Sequence, residues 1–206
     1  MLTTSNSYSN IFLEHKRLFL DSTVLIDWAA RPSVDAAFED VQREYSLILC
    51  TASLLEVGFG APGKAAAREV ERAQSLYDLG LRNVVDSFAL HNLALEKRRT
   101  PQMCVYNPTA HEWYASRTHL LALVAERKLS IEAGRRLMLD AIVYTCAWNA
   151  RAAIVTDNIR DFMKFNGIQK KLSSGVPRHL PIFTMADILS ALSSEVSYPE
   201  NLAGRA

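Results

Sequence analysis

The chain has 206 residues, of which 49% are hydrophobic and 22% charged, and its formal net charge at pH 7 is +1. This composition is typical of a folded globular protein and excludes a disordered chain. The balanced charge excludes a uniformly basic protein, so any surface that binds nucleic acid has to be a local patch.

The N-terminal part of the chain alternates between short apolar runs and helical patterns. Residues 1–16 carry weak signals and are interpreted as a lead of uncertain structure. Buried strands are predicted at Arg17–Asp21 and Leu47–Cys50, and a helical pattern at Ser33–Val41 separates them. A second helix is predicted at Thr51–Val57, before a region rich in glycine and proline.

The middle of the chain is predicted to be mainly helical. The predicted helices are Lys64–Leu79, Phe88–Arg99, His111–Arg127 and Ser130–Asn149. Asn83–Asp86 is interpreted as a short strand and Pro101–Pro108 as a loop.

The C-terminal part returns to alternating strands and helices. The predicted elements are a strand at Ala153–Thr156, an amphipathic turn at Ile159–Phe165, a strand at Pro181–Thr184 and a helix at Met185–Leu192. Because strands alternate with helices, we expect an α/β fold of three α/β/α layers around a mainly parallel sheet, with an extended helical middle. We expect one domain at 17–193, a helical elaboration at about 101–135 and a C-terminal tail at 194–206.

The cysteine pattern and the hydropathy of the chain indicate the cellular compartment in which we expect the protein. Cys50, Cys104 and Cys146 are odd in number and widely spaced, and they form neither a disulfide framework nor a CxxC metal motif. The polar N-terminus does not resemble a secretory signal, and no apolar stretch approaches the roughly 18 residues of a membrane helix. We therefore expect a cytoplasmic protein with buried thiols and no membrane contact.

Four acidic residues carry the main chemical signal: Asp21, Glu56, Asp140 and Asp157. Asp21 and Asp157 each end a predicted strand, and ligands of parallel sheets bind outside the carboxyl ends of the strands. Asp140 lies in a helix that is apolar almost all round, where a carboxylate has to be paired, hydrogen-bonded or bound to metal. A convergence of these acids favours a hard ion with oxygen ligands, Mg²⁺ or Mn²⁺.

Each of these acids has a simpler explanation when it is taken alone. Asp21 or Asp157 could cap the helix after its strand, which contributes about 1 kcal/mol. Glu56 could be a polar residue at the rim of its helix. Asp140 could belong to a surface charge ladder with Arg136.

The acids occur in sequence stretches that carry a family resemblance. The stretches are Leu18–Leu25, Thr51–Val57, Leu139–Val143 and Ile154–Phe162. Together they resemble the PIN-domain ribonucleases, a family that includes toxins of bacterial type II toxin–antitoxin pairs. The resemblance implies a metal-dependent endoribonuclease that hydrolyses RNA phosphodiester bonds, and it implies a small antitoxin protein and a second copy of the chain as partners.

The resemblance also assigns roles to individual residues. It implies that Asp21, Glu56 and Asp140 bind Mg²⁺ or Mn²⁺, and that Ser22 or Thr23 orients a ligand or a water molecule. These are the expected catalytic acids.

The fourth acid of the family is open in this chain. Members often place it two residues after the threonine that corresponds to Thr156, where this chain has Asn158. We favour Asp157 as the fourth catalytic and metal-binding acid, with Asn158 as a hydrogen-bonding neighbour and Asp161 as the alternative. The number of metal ions is open for the same reason.

Basic and aromatic residues are candidates for contact with a polyanion. The candidates are Lys97–Arg99, Trp113, Tyr114, Arg135, Arg136, Arg160, Lys164, Lys170 and Lys171. Charge runs are also common on solvated surfaces, and Trp113 is equally compatible with a place in the core.

Two other functions compete with the nuclease. A catalytically inactive PIN-fold module that binds nucleic acid or protein is suggested by Asn158 at the usual acidic position. A phosphotransfer hydrolase of the haloacid dehalogenase type also has an Asp at a strand end, but it requires a second acid where this chain has Thr23, which disfavours it.

Overall fold

The computed structural model describes residues 16–30, 35–59, 84–85, 103–172 and 179–196. The strands are β1 (Arg17–Leu20), β2 (Ser46–Cys50), β3 (Val84–Val85), β4 (Met103–Tyr106), β5 (Ala153–Val155) and β6 (Ile182–Phe183). The helices are α1 (Ser22–Ala30), α2 (Asp35–Glu44), α3 (Thr51–Phe59), α4 (Ala110–Ala125), α5 (Ile131–Arg136), α6 (Met138–Ala150), α7 (Ile159–Leu172) and α8 (Met185–Val196).

The strands form one sheet in the order β3-β4-β2-β1-β5-β6, and every pair of neighbours is parallel. This arrangement confirms the predicted α/β class and the parallel sheet. β1 lies at the centre, between β2 and β5. The chain after each of these three strands therefore leaves the sheet at the same edge.

Side chains that alternate along the strands divide the core between the two faces of the sheet. On one face, Phe19, Ile48 and Tyr106 pack with apolar residues of α4, α6 and α7. On the other face, Leu18 and Leu47 pack with residues of α1, α2 and α8. The sheet is thus enclosed by helices on both sides, which confirms the expected three layers.

Three predictions for the second half of the chain were wrong. The amphipathic turn predicted at Ile159–Phe165 is the first half of the 14-residue helix α7. The loop predicted at Pro101–Pro108 contains β4, whose four residues are all buried between β2 and β3. The single helix predicted at Ser130–Asn149 is two helices. Ser130 caps α5, which ends at Arg136, and α6 begins at Met138 after the C-cap residue Leu137. Part of the expected helical elaboration therefore belongs to the central sheet.

Several expectations concern residues outside the described ranges. They are the lead before Lys16, the helices at Lys64–Leu79 and Phe88–Arg99, and the end of the tail at 197–206. Within the described ranges, no helix combines the length and the apolar character that a membrane span requires. The three cysteines are buried free thiols, as predicted.

Candidate metal centre

The end of β1 places the first carboxylate at the edge of the sheet. Asp21 directly follows the strand, and its backbone N–H donates to the carbonyl of Val155 at 3.0 Å, which continues the pairing of β1 with β5. Helix α1 begins at the next residue, Ser22. The backbone is therefore fixed on both sides of Asp21.

Helix packing brings two further carboxylates to the same edge. Helix α3 starts immediately after β2 and carries Glu56, and it packs against both α1 and α6. Asp140 lies in the first turn of α6. The two acids thus reach Asp21 from two different helices, although they are far apart in sequence.

The carboxylates of Asp21, Glu56 and Asp140 form one cluster. One oxygen from each residue lies within 4.8 Å of the others, and they form the only such group of three among the described residues. Asp21 is 1% exposed and Asp140 is 7% exposed. The sequence-based expectation that these three acids converge is confirmed.

Hydrogen bonds satisfy only one side of the Asp21 carboxylate. Its Oδ2 accepts from the hydroxyl of Thr23 at 2.9 Å and from that of Thr156 at 2.8 Å. Its Oδ1 is buried and has no hydrogen-bond partner in the structure. Glu56 Oε2 accepts from the hydroxyl of Ser22 at 2.7 Å. A buried carboxylate oxygen without a donor is costly, and a cation offers the missing interaction.

Burial and the mutual repulsion of the carboxylates raise the pKa values of two acids in the cluster. Burial, together with the charges of Asp21, Glu56 and Asp161, raises the pKa of Asp140 to about 8, while Lys164 acts in the opposite direction. Burial and the charge of Asp21 also raise the pKa of Glu56, against a lowering by the hydrogen bond from Ser22. The metal-free cluster thus disfavours full ionisation, and a divalent cation would relieve this repulsion.

The donor set of this cluster fits a hard divalent ion. Carboxylate oxygens are the ligands that Mg²⁺ and Mn²⁺ prefer, and neither imidazole nor thiolate takes part in the described cluster. Mg²⁺ usually binds through one or two carboxylates and keeps several waters, so three clustered acids are sufficient. The arrangement can bind such an ion and hold water beside it.

The candidates for the fourth acid occupy different positions. Asp157 is exposed and lies outside the cluster of three; its backbone N–H donates to the hydroxyl of Thr23 at 3.2 Å. Asp161 is half-buried in the first turn of α7, and its charge acts on Asp140. Asn158 donates from its side-chain amide to Asp161 Oδ2 at 3.0 Å. The alternative, Asp161, is thus coupled electrostatically to the cluster.

The candidate nucleic-acid residues are divided between several surfaces. Trp113 and Tyr114 on α4 are 42% and 72% exposed, so neither belongs to the core. Arg135 and Arg160 are exposed. Lys164 instead forms an ion pair with Asp161. The basic run Lys97–Arg99 lies outside the described residues, as do the side chains of Lys170 and Lys171.

One buried acid was missed by the sequence analysis. Glu112 on α4 is 1% exposed and accepts hydrogen bonds from Tyr106, Thr109 and Asn149. The signal was present in the sequence, because Thr109 and Glu112 have the spacing of a capping box, and both of its reciprocal bonds are formed.

Comparisons with other proteins identify no relative: no protein-family model matches the chain, and no curated protein matches it.

Proposed function

We propose that this protein is an endoribonuclease that depends on Mg²⁺ or Mn²⁺ and hydrolyses phosphodiester bonds of RNA. The observation that carries the proposal is the cluster of Asp21, Glu56 and Asp140, in which one buried oxygen of Asp21 has no donor. The four sequence stretches that resemble PIN-domain ribonucleases contain these same acids, and they supply the choice of RNA as substrate.

The three acids of the cluster would bind the ion through their carboxylate oxygens. Thr23 and Thr156 hold the Asp21 carboxylate in one orientation through its other oxygen. Such an ion supplies a water of lowered pKa and stabilises negative charge on the phosphate. No nucleophilic side chain is required, because the attacking group is water.

Exposed aromatic residues support a single-stranded substrate. Trp113 and Tyr114 are exposed neighbours on α4, and Arg117 is exposed one turn further along the same helix. Aromatic rings stack on unpaired bases of any sequence, and arginine attracts the backbone phosphates. We therefore propose single-stranded or looped RNA rather than duplex DNA.

We extend the proposal to a toxin that acts as a homodimer and is inhibited by a small antitoxin protein. This extension rests on the family resemblance. Expression of the wild-type chain in a bacterial host should arrest growth, whereas the Asp21→Asn variant should not.

A cleavage assay tests the proposed activity. Single-stranded and hairpin RNAs are incubated with the protein in Mg²⁺, in Mn²⁺ and in EDTA. We expect cleavage only with metal, and we expect Asp21→Asn to reduce its rate by at least about 100-fold, since even residues that only support a metal ligand cost 10–100-fold. The matched control is Asp40→Asn, which removes an exposed carboxylate that pairs with Arg43 on the surface. This variant should cleave at the wild-type rate.

The alternative function is a metal-binding or RNA-binding module without catalysis. It is favoured by Asn158 at the usual acidic position and by the engagement of Asp161 with Asn158 and Lys164. Wild-type protein that binds Mn²⁺ and RNA but cleaves none of the RNAs would establish this alternative. If Asp21→Asn cleaves RNA at the wild-type rate, the proposed metal centre is refuted, and so is the assignment of RNA cleavage to it.

A further inference from the structure

An ion pair on α7 joins Asp161 in the first turn of the helix to Lys164 one turn further along. Lys164 donates to Asp161 Oδ1, and the side-chain amide of Asn158 donates to Asp161 Oδ2 at 3.0 Å. Both oxygens of the Asp161 carboxylate are therefore engaged by donors of this chain. This contrasts with Asp21, one of whose oxygens is buried without a donor.

A short chain of hydrogen bonds joins this ion pair to the cluster. The backbone N–H of Asn158 donates to the hydroxyl of Thr156 at 2.9 Å, and that hydroxyl donates to Asp21 Oδ2 at 2.8 Å. The charges of Asp161 and Lys164 also act on Asp140 in opposite directions. The ion pair is thus an electrostatic neighbour of the proposed metal ligands.

We propose that the ammonium group of Lys164 takes the place of a second metal ion, so that the centre binds one divalent cation per chain. The inference rests on the metal centre of the proposed function but not on its RNA substrate. It assigns Lys164 a positioning role, as the permanent counter-charge of Asp161, instead of the role of an RNA guide suggested by its sequence.

The number of available ligands supports a single ion. Two-metal sites hold their ions about 3.5–4 Å apart and require oxygen ligands for both. Within the described part of the chain, only three acids bring their carboxylates together in the cluster. The next acid coupled to it, Asp161, is occupied on both oxygens, so a second ion would have to displace Lys164. A lysine ammonium is a compact point charge that can occupy such a position.

The test is to count the Mn²⁺ ions bound to the 206-residue chain by calorimetric titration and by electron paramagnetic resonance. We expect one ion per chain in the wild type, and no signal from a spin-coupled Mn²⁺ pair. Lys164→Met should expose the Asp161 carboxylate and create a second, weaker site with a spin-coupled signal. Lys164→Arg, which keeps the charge, should retain one ion.

Two further variants test whether the second ion expected in Lys164→Met binds to the released Asp161 carboxylate. The double variant Lys164→Met with Asp161→Asn should return to one ion, because the released ligand is gone. Lys128→Met is the matched control, since Lys128 pairs with Glu126 on the surface, and it should leave one ion bound.

The outcomes distinguish the role of Lys164 from the proposed nuclease activity. Two ions of similar affinity in the wild type, or one ion in Lys164→Met, would overturn the role of Lys164. A wild type that binds one ion but does not cleave RNA would refute the proposed activity and leave this inference intact. A wild type that binds no Mn²⁺ would refute both.

Discussion

Two buried carboxylates in this molecule have opposite surroundings. Glu112 and Asp21 are each 1% exposed. Glu112 accepts from the hydroxyl of Tyr106 at 2.6 Å, from the backbone N–H and hydroxyl of Thr109 at 2.7 and 2.9 Å, and from the amide of Asn149 at 3.2 Å. Asp21 receives two hydroxyl hydrogen bonds on one oxygen and none on the other, and two further acids lie beside it.

The difference shows that burial alone does not identify a functional acid. The charge of Glu112 is compensated by donors of the protein itself, so this residue joins β4, α4 and α6 as a structural connection. The cluster around Asp21 lacks such compensation, and a bound cation is one group that can supply it. We therefore expect mutation of Glu112 to change mainly the stability of the fold, and mutation of Asp21 to change mainly metal binding.

Removal of the carboxylate of Glu112 should give the largest loss of stability. We expect Glu112→Ala to lower the free energy of unfolding by about 3 kcal/mol, because several buried donors lose their acceptor. Asp21→Asn should change it by less than about 1 kcal/mol in EDTA, since the loss of repulsion offsets the altered hydrogen bonds. Urea unfolding measures both values, and an equal loss in the two variants would contradict the contrast.

Metal should stabilise the protein through the Asp21 cluster and not through Glu112. At a free Mn²⁺ concentration of 100 Kd, we expect about 2.7 kcal/mol of added stability for the wild type. Asp21→Asn should show none of this gain at the same concentration. Thermal unfolding with and without EDTA provides the measurement, and an equal metal effect in both proteins would place the ion elsewhere.

The hydroxyl groups that orient Asp21 should have an intermediate effect. Thr156→Val removes the donor to Asp21 Oδ2, and we expect Mn²⁺ to bind 10–100-fold more weakly, as is usual for residues that hold a metal ligand in place. Thr118→Val is the control, because the Thr118 hydroxyl is exposed and bonds only to a carbonyl of its own helix. Titration calorimetry compares them, and equal affinities would remove Thr156 from the centre.

The raised pKa of Asp140 predicts a pH dependence of the metal-free protein. The pKa moves from an ordinary 3.8 to about 8 on folding, so the folded state binds the proton more tightly than the unfolded state. The resulting stabilisation is complete below pH 3.8 and is lost as the pH rises through about 8. We expect a slope of up to about 1.4 kcal/mol per pH unit, which Asp140→Asn should reduce. Unfolding in EDTA between pH 5 and 8 would test it, and a slope unchanged in the variant would disprove the assignment.

The sequence was most informative where a carboxylate contradicted its apolar surroundings. Asp21 directly after a buried strand predicted the edge at which it lies, and Asp140 within an apolar helix predicted a buried carboxylate that needs a partner. Periodicity also predicted the layers, because strands and helices alternate. These features are local, and they can therefore be read from neighbouring residues.

Features that depend on distant contacts were not predicted. The four residues of β4 were interpreted as a loop, because their burial follows from β2 and β3 on either side and not from their own pattern. The engagement of Asp161 by Asn158 and Lys164 is likewise a matter of side-chain geometry. Sequence spacing alone could not distinguish Asp161 from Asp157 as the neighbour of the cluster.

The place of β1 at the centre of the sheet has a consequence for biosynthesis. Its partner β5 and the hydroxyl that orients Asp21 are supplied late, since Thr156 follows Asp21 by 135 residues. A nascent chain still on the ribosome lacks Asp140 until most of the domain has emerged. For an enzyme proposed to cut RNA, competence then arises only after the codons for α6 and β5 have been translated.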